Sequence, residues 1–412
     1  MSEPGVRRAP AKARTGGRSW APALFVTGIL ALAFNLRGAI SGLPPVFPEL
    51  ASALHLSSAA VALLAAAPVL CFGVFSFVAA PLARRYGEER VLLASLMLVA
   101  AGLVARGGWP GTLLFPGTVL AGAGIALMNV LMPSLVKRRC PEQAGLLIGV
   151  YLLCMASGAI LASLIAVPVY QSSSGSARLT LGLWALPALA GVLVWLPQWR
   201  FRTLPDSPDG SPPRGAPLVK VSRHGLAWQV MGFMGLQSLI YYSALSWLPV
   251  IMRDRGAGAE SAGSLLALMN FGNAVTALLA PTLAQRARDQ RWLIAATVTA
   301  SAVGLAGVWF APLGGALAWT LLFGFGQGSA LGLSIYFTAA RAPDPVTSAS
   351  LSAFAQGGGY LVATAGPLVA GFLHAETGTW TLAVLVMLAV IGFEGIVGWP
   401  AGRARTLPAA PR

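Results

Sequence analysis

Charge is what this chain has least of. Only 10% of its 412 residues are charged, and 13 in all are acidic, whereas a soluble domain carries about 25% charged residues. So few charges cannot clothe a chain of this length in water, which excludes a soluble globular fold. Cysteine is equally sparse: Cys71, Cys140 and Cys154 show no CxxC or metal-ligand spacing. That excludes a disulfide framework and a zinc site and leaves three packing thiols. The three histidines lie scattered in connections, so no metal site, cofactor or Ser/His catalytic centre is expected. No GxxxxGK[ST] motif follows a strand, which argues against an ATP-driven pump.

Hydrocarbon is present in its place. Hydrophobic residues make up 56% of the chain and fall into runs of the ~20 residues that a bilayer core about 30 Å thick demands of a helix. Twelve such runs are read, the first from 20 to 43, the second from 58 to 80, the eleventh from 349 to 373 and the last from 380 to 400. The expected fold class is therefore an all-α integral membrane protein with twelve transmembrane helices. A net charge of +15 does not point to nucleic acid, because the 28 Lys and Arg are dispersed as short clusters between apolar runs. They read as topology signals. Taking alternate connections together, 23 cations lie on the side of both termini, in clusters such as Arg84, Arg85 and Arg90 or Lys137, Arg138 and Arg139. Arg106, Arg178, Arg253 and Arg255 lie opposite. Both termini are expected in the cytoplasm, with the chain in a bacterial-type inner membrane and the first run retained as a helix rather than cleaved.

Between Gln198 and Gly225 the composition changes, with Pro205, Pro208, Pro212, Pro213 and Pro217 set among Asp206, Ser207, Asp209 and Gly210. Such a segment reads as a linker. The expected division is a cytoplasmic tail at 1–19, a six-helix bundle at 20–199, a cytoplasmic linker at 200–225, a second six-helix bundle at 226–400 and a tail at 401–412. The halves look related: at a shift of 204, Gly122, Gly124 and Lys137 fall on Gly326, Gly328 and Arg341. At a shift of 199, Gly158 and Pro168 fall on Gly357 and Pro367. Two pseudo-symmetric six-helix bundles about a central cavity are the architecture of alternating-access carriers.

Arg37 is the one cation inside an apolar stretch that is otherwise uncharged from Trp20 to Phe47. A charge held in hydrocarbon costs about 2.5 to 3.5 kcal/mol on insertion scales, so it calls for a partner or a function. Three readings stand: an anchor for an anionic or dipolar solute, whose oxygens a five-donor fork can grip; a side chain snorkelling to the outer interface; and an internal ion pair. Glu394, the only acid deep in a span, lies near the opposite face and is expected to be structural. Glu49, His55, His374 and Glu376 are assigned to external connections and to solvent. The intramembrane amides Asn35, Asn129, Gln237, Asn270, Asn273 and Gln356 must face protein or a wet cavity. Asn35 stands about 200° round the helix from Arg37, so only one of the two can face a cavity squarely and the other braces a neighbour. Gly357, Gly358, Gly359, Gly366 and Gly371 are read as packing residues.

Spans, linker and repeat together resemble the major facilitator superfamily over nearly the whole chain. The loop Pro81-Leu82-Ala83-Arg84-Arg85-Tyr86-Gly87-Glu88-Glu89-Arg90 is similar to that superfamily's signature between its second and third helices. Leu82, Ala83, Arg85 and Gly87 fit, while Arg84 stands in place of an Asp, and Glu88 and Glu89 replace two cations. Asn35-Leu36-Arg37, Ala67-Pro68-Val69-Leu70-Cys71-Phe72-Gly73, Trp247-Leu248-Pro249 and Gln356-Gly357-Gly358-Gly359-Tyr360 resemble the cyanate and 2-nitroimidazole transporter family. The resemblance implies a secondary carrier with a cavity lined by helices 1, 4, 7 and 10. It favours Arg37, Asn129, Gln237, Tyr241, Tyr242 and Gln327 as solute-binding residues and Arg84, Arg85 and Gly87 as a gating loop; the intramembrane amides Asn35 and Gln356 complete the candidate set, with Trp247 as part of the cavity wall or of the outer aromatic belt. The implied solute is a small anion such as cyanate or a small organic acid, with a small neutral nitroheterocycle as the alternative. The bilayer is the other expected partner, and protons are a candidate coupling ion. A membrane receptor or a membrane enzyme is the reading from a different class.

Overall fold

The computed structural model describes residues 20–201 and 221–408. The expected N-terminal tail at 1–19, most of the linker at 200–225 and the end of the tail at 401–412 lie outside the described residues. Twelve helical spans follow in order: α1 (Trp20–Ser41), α2 (Ser58–Tyr86), α3 (Glu88–Gly108), α4 (Pro110–Arg139), α5 (Ala144–Ser172) and α6, in two pieces (Ala177–Gly182 and Ala185–Trp195). Then come α7 (Gly225–Asp254), α8 (Ala259–Arg286), α9 (Arg291–Phe310), α10 (Ala316–Ala340), α11, also in two pieces (Pro345–Ala363 and Ala365–Thr377), and α12 (Thr381–Ala401). No strand occurs among the described residues.

By length and composition ten of these stretches suffice to cross a membrane, and α7 and α11 do not reach that threshold. The reason is chemical. The α7 helix buries Gln237, Ser238, Tyr241, Tyr242, Ser243 and Ser246, polar groups that lower hydropathy but face protein rather than lipid. The α11 helix is rich in glycine and breaks at Thr364. Several spans also run past their apolar cores, as α2 does from the expected 80 to Tyr86. Beyond the hydrocarbon, water satisfies side chains while the backbone keeps its own hydrogen bonds.

Glycine sets how closely the helices pack, since there is no aqueous driving force between them in lipid. Along α10, Gly324, Gly328 and Gly332 each sit where an added Cβ would stand 2.1 to 2.7 Å from the carbonyl oxygens of Met269, Asn273 and Ala277 on α8. Gly122 abuts Pro68 and Cys71 of α2, Gly124 abuts Ser95 of α3, and Gly326 abuts Ser301 of α9. These contacts correct the register of the repeat in this region. Gly122 matches Gly324, each facing the second helix of its half, and Gly124 matches Gly326, each facing the third. The shift is 202, not 204.

The halves meet along α2 with α11 and along α5 with α8. One end of the molecule is closed by a short segment after α1, comprising Pro44–Val46 and the helix Phe47–Ala53, which packs on α7 and α8. There Glu49 pairs with Arg253 at 2.6 Å across the two halves. Glu49 is thus a bridging residue rather than a solvated one. His374, expected in a loop, lies in the second piece of α11, stacks on Trp380 at 3.9 Å and stands 3.9 Å from Asp254. Arg106, expected in a connection, is buried in the last turn of α3 and donates to the Ala39 carbonyl at 2.9 Å.

The opposite end carries the basic clusters. Gly87 joins α2 to α3 at φ 89°, a left-handed conformation that needs glycine. Arg84 and Arg85 are exposed there. Glu88 and Glu89, by contrast, are buried and pair with Arg138 at 3.5 Å and Arg139 at 3.8 Å at the end of α4. Glu88 also accepts a short hydrogen bond from Ser134. The charges of this loop therefore knit α3 to α4, and both acids sit in the first turn of α3, where the helix dipole favours them. At the matching place in the second half, Arg341 meets the neutral Gln290. Beside it, hydrogen bonds from Arg291 hold the Asp289 carboxyl below its ordinary range.

Candidate solute-binding site

Arg37 leaves α1 four residues before the helix ends and points across the interface between the halves. Its Nη1 donates to the Tyr241 hydroxyl of α7 at 3.0 Å, and the guanidinium lies 5.1 Å from the Tyr241 ring centre and 5.6 Å from that of Tyr242. The Tyr241 hydroxyl in turn donates to Asn270 Oδ1 of α8 at 2.8 Å, and Asn270 Nδ2 is spent on the Leu266 carbonyl at 3.0 Å. Among the described residues no carboxylate comes within ion-pairing distance of Arg37. Among the described residues its positive charge is met by ring faces and a hydroxyl.

Behind the guanidinium stands an aromatic wall. Tyr242 contacts Tyr360 of α11 edge-on at 6.2 Å, and Phe72 of α2 contacts both, at 6.0 and 5.6 Å. The two rings over the cation both come from α7, each such contact being worth about 0.5 to 2 kcal/mol as burial increases, and Phe72 of the other half packs against the wall behind them. In front of Arg37 lies a cleft with about 40 Å³ of free volume, room for roughly two or three waters. Arg37, Tyr241, Asn270 and Asn273 give it a polar edge, and leucine, methionine and alanine of α5, α8 and α10 form its walls. No acid lines it among the described residues.

The other expected site residues are placed elsewhere. Asn35 turns away and ties α1 to α6 by donating to the Pro187 carbonyl at 3.0 Å, so of the pair it is the brace. Gln237 bonds Ser238 on its own helix at 2.7 Å, and Gln327 reaches Ser301 of α9 at 3.1 Å. Gln356 bonds Ser352 at 2.8 Å. Trp247 donates to the Pro367 carbonyl at 2.9 Å and packs on Phe47 and Trp380 in the closed end. Asn129 is half-buried on α4 and outside the cleft lining. Glu394 is fully buried, and neither oxygen has a partner among the described residues. Only Arg37, Tyr241 and Tyr242 of the expected set come together. Asn270, Asn273 and Tyr360 join them; the sequence sets the two amides against protein or a wet cavity, but the expectation of a cavity lined by helices 1, 4, 7 and 10 leaves them out of the solute-binding set, and on α11 it favours Gln356 rather than Tyr360. The signal for α8 was available: two amides three residues apart on one face of an apolar helix.

Residues 24–362 match the family model described as Major Facilitator Superfamily. Over 384 residues, 93% of this chain and 96% of the relative, the chain is 38% identical to the 2-nitroimidazole transporter of Escherichia coli (strain K12). It is 30% identical over 355 residues, 86% of this chain and 91% of the relative, to the cyanate transport protein CynX of the same organism. Among solved structures, the D-xylose-proton symporter superposes with a TM-score of 0.71 at 15% identity, covering 94% of this chain and 99% of the symporter. That likeness concerns the fold.

Proposed function

The chain belongs to the major facilitator superfamily, a family of transporters and not of enzymes, and from that premise we propose that it carries a small acceptor-bearing solute held by Arg37, by alternating access. It is a multi-pass membrane protein and a transporter of small solutes. The observation that carries the finer reading is the guanidinium bound to Tyr241 without a neutralising acid among the described residues. Such a group is completed by an anion, whose charge-assisted hydrogen bonds contribute about 1.5 to 3 kcal/mol each. A small anion such as cyanate or a small organic acid fits that requirement.

A second reading has its own observation: the cleft walls are mostly alanine, leucine and methionine. These suit an apolar body, and a neutral nitroheterocycle would bring one together with oxygens for Arg37. The relatives named for cyanate and for 2-nitroimidazole support the two readings in turn. The basic end is assigned to the cytoplasm by its cations, with both termini there and the chain in the inner membrane.

Purified protein in proteoliposomes tests the reading with labelled cyanate and labelled 2-nitroimidazole. Arg37→Gln should weaken binding about ten- to hundredfold, because the charge is lost while hydrogen bonding is retained. Arg37→Lys should fall between, since a point charge lacks the planar fork. Unchanged binding and uptake by folded Arg37→Gln would refute the anchor role. Uptake with and without an imposed pH gradient decides proton coupling.

A further inference from the structure

Asn273 has a donor for which the described residues provide no acceptor. It stands three residues after Asn270 on α8, and both line the cleft in front of Arg37. Asn270 has used both ends of its amide. The Nδ2 of Asn273 is sealed from solvent and has no hydrogen-bond partner among the described residues. A buried amide in that state is unfavourable, so it persists only where the surroundings hold it or a ligand completes it.

Packing does hold it. A Cβ on Gly328 would stand 2.1 Å from the Asn273 carbonyl oxygen, and Gly324 and Gly332 seat the turns before and after. The backbone of α8 is thus held closely against α10 on this turn and on those before and after it. Asn273 lines the cleft from the C-terminal half, and Arg37 lines it from the N-terminal half.

We propose that Asn273 is the second anchor of the transported solute: its Nδ2 and the Arg37 guanidinium donate, from opposite halves, to one acceptor-bearing molecule lying between α1 and α8. The inference rests on the reading of Arg37 given above and adds to it. A solute gripped by one half alone has no differential affinity for the closed state, whereas one gripped by both favours the state in which the halves approach it. Asn273 then supplies part of the coupling between binding and closure. It also selects, because a donor left unpaired penalises molecules with a single acceptor more than those with two.

The test is binding of three labelled probes, cyanate, benzoate and 2-nitroimidazole, to the purified full chain in nanodiscs, read beside thermal stability. Asn273→Ala should weaken the bound probe at least tenfold, about 1.4 kcal/mol at 25 °C, while leaving the melting temperature of the solute-free protein unchanged or raised. A residue serving only as interhelical glue would lower it. Asn273→Ser, which keeps a donor, should retain part of the affinity; it replaces Asn273→Ala as the deciding variant, with loss of affinity again expected on Asn273→Leu, if the alanine variant does not fold. Loss of binding by Arg37→Gln with none by Asn273→Ala would overturn this proposal and leave the Arg37 reading standing. Wild-type protein that binds none of the three probes, or binding indifferent to both substitutions, would overturn both.

Discussion

Arg37 shows how a single side chain is legible and its partners are not. Its position in an uncharged apolar run marks it as costly in any membrane protein, and no structure is needed to notice it. Which way it points depends on Tyr241, 204 residues away, and no local pattern carries that. Tyr241 has two tasks in one hydroxyl, accepting from Arg37 and donating to Asn270. Tyr241→Phe keeps the ring beside the guanidinium but leaves Asn270 Oδ1 without its donor and Arg37 free to swing. The expected loss in solute affinity is about tenfold, from one charge-assisted bond of roughly 1.5 kcal/mol, read by direct binding. The aromatic wall should remain, so near-ultraviolet circular dichroism should change little. Asn35 is the counter-example: it sits two residues from Arg37 and shares its rarity, yet its amide serves the Pro187 carbonyl.

At the scale of the helix, sequence and structure agree on where spans lie and differ on how two of them qualify. Hydropathy identifies a helix by what it shows to lipid, so α7, whose polar side chains are buried in protein, falls short by composition while serving as the wall of the site. The helices of the second half are set by glycine. Gly328→Ala would place a methyl group against the backbone of Asn273, and overpacking of this kind costs about 1 to 3 kcal/mol. We expect a lower melting temperature in detergent and, because α8 shifts with it, weaker solute binding. Gly392→Ala on α12 is the matched control: nothing stands within 4 Å of its Cβ position, and replacing a mid-helix glycine there should leave stability unchanged or raise it by up to about 1 kcal/mol. Equal effects of the two would contradict the packing account. The register of the repeat belongs here too. Glycine identity alone allowed a shift of 204, and only the neighbours of each glycine select 202.

For the whole molecule, two interactions join the halves at positions 204 residues apart, Arg37 with Tyr241 and Glu49 with Arg253. In a protein built from two related halves, residues near the axis face their near-counterparts, so α1 meets α7 in this way. The Glu49–Arg253 pair closes one end and must open if a solute is to pass there. Being a quarter and a fifth exposed, it is worth about 0 to 1 kcal/mol, enough to bias an equilibrium but not to lock it. Glu49→Arg should shift exchange rates in proteoliposomes about two- to fivefold, and Arg253→Glu added to it should restore them. Failure of the double exchange to recover would remove the pair as a latch. By itself the sequence determined the membrane class, the twelve spans, the two related halves and the expensive charge, because each follows from composition and periodicity along one helix. Only the tertiary structure decided that Arg37 meets Tyr241 and shares its cleft with Asn270 and Asn273 rather than with Asn129 or Gln327, because side chains on separate helices meet according to helix rotation and distance, and close glycine contacts between helices constrain both.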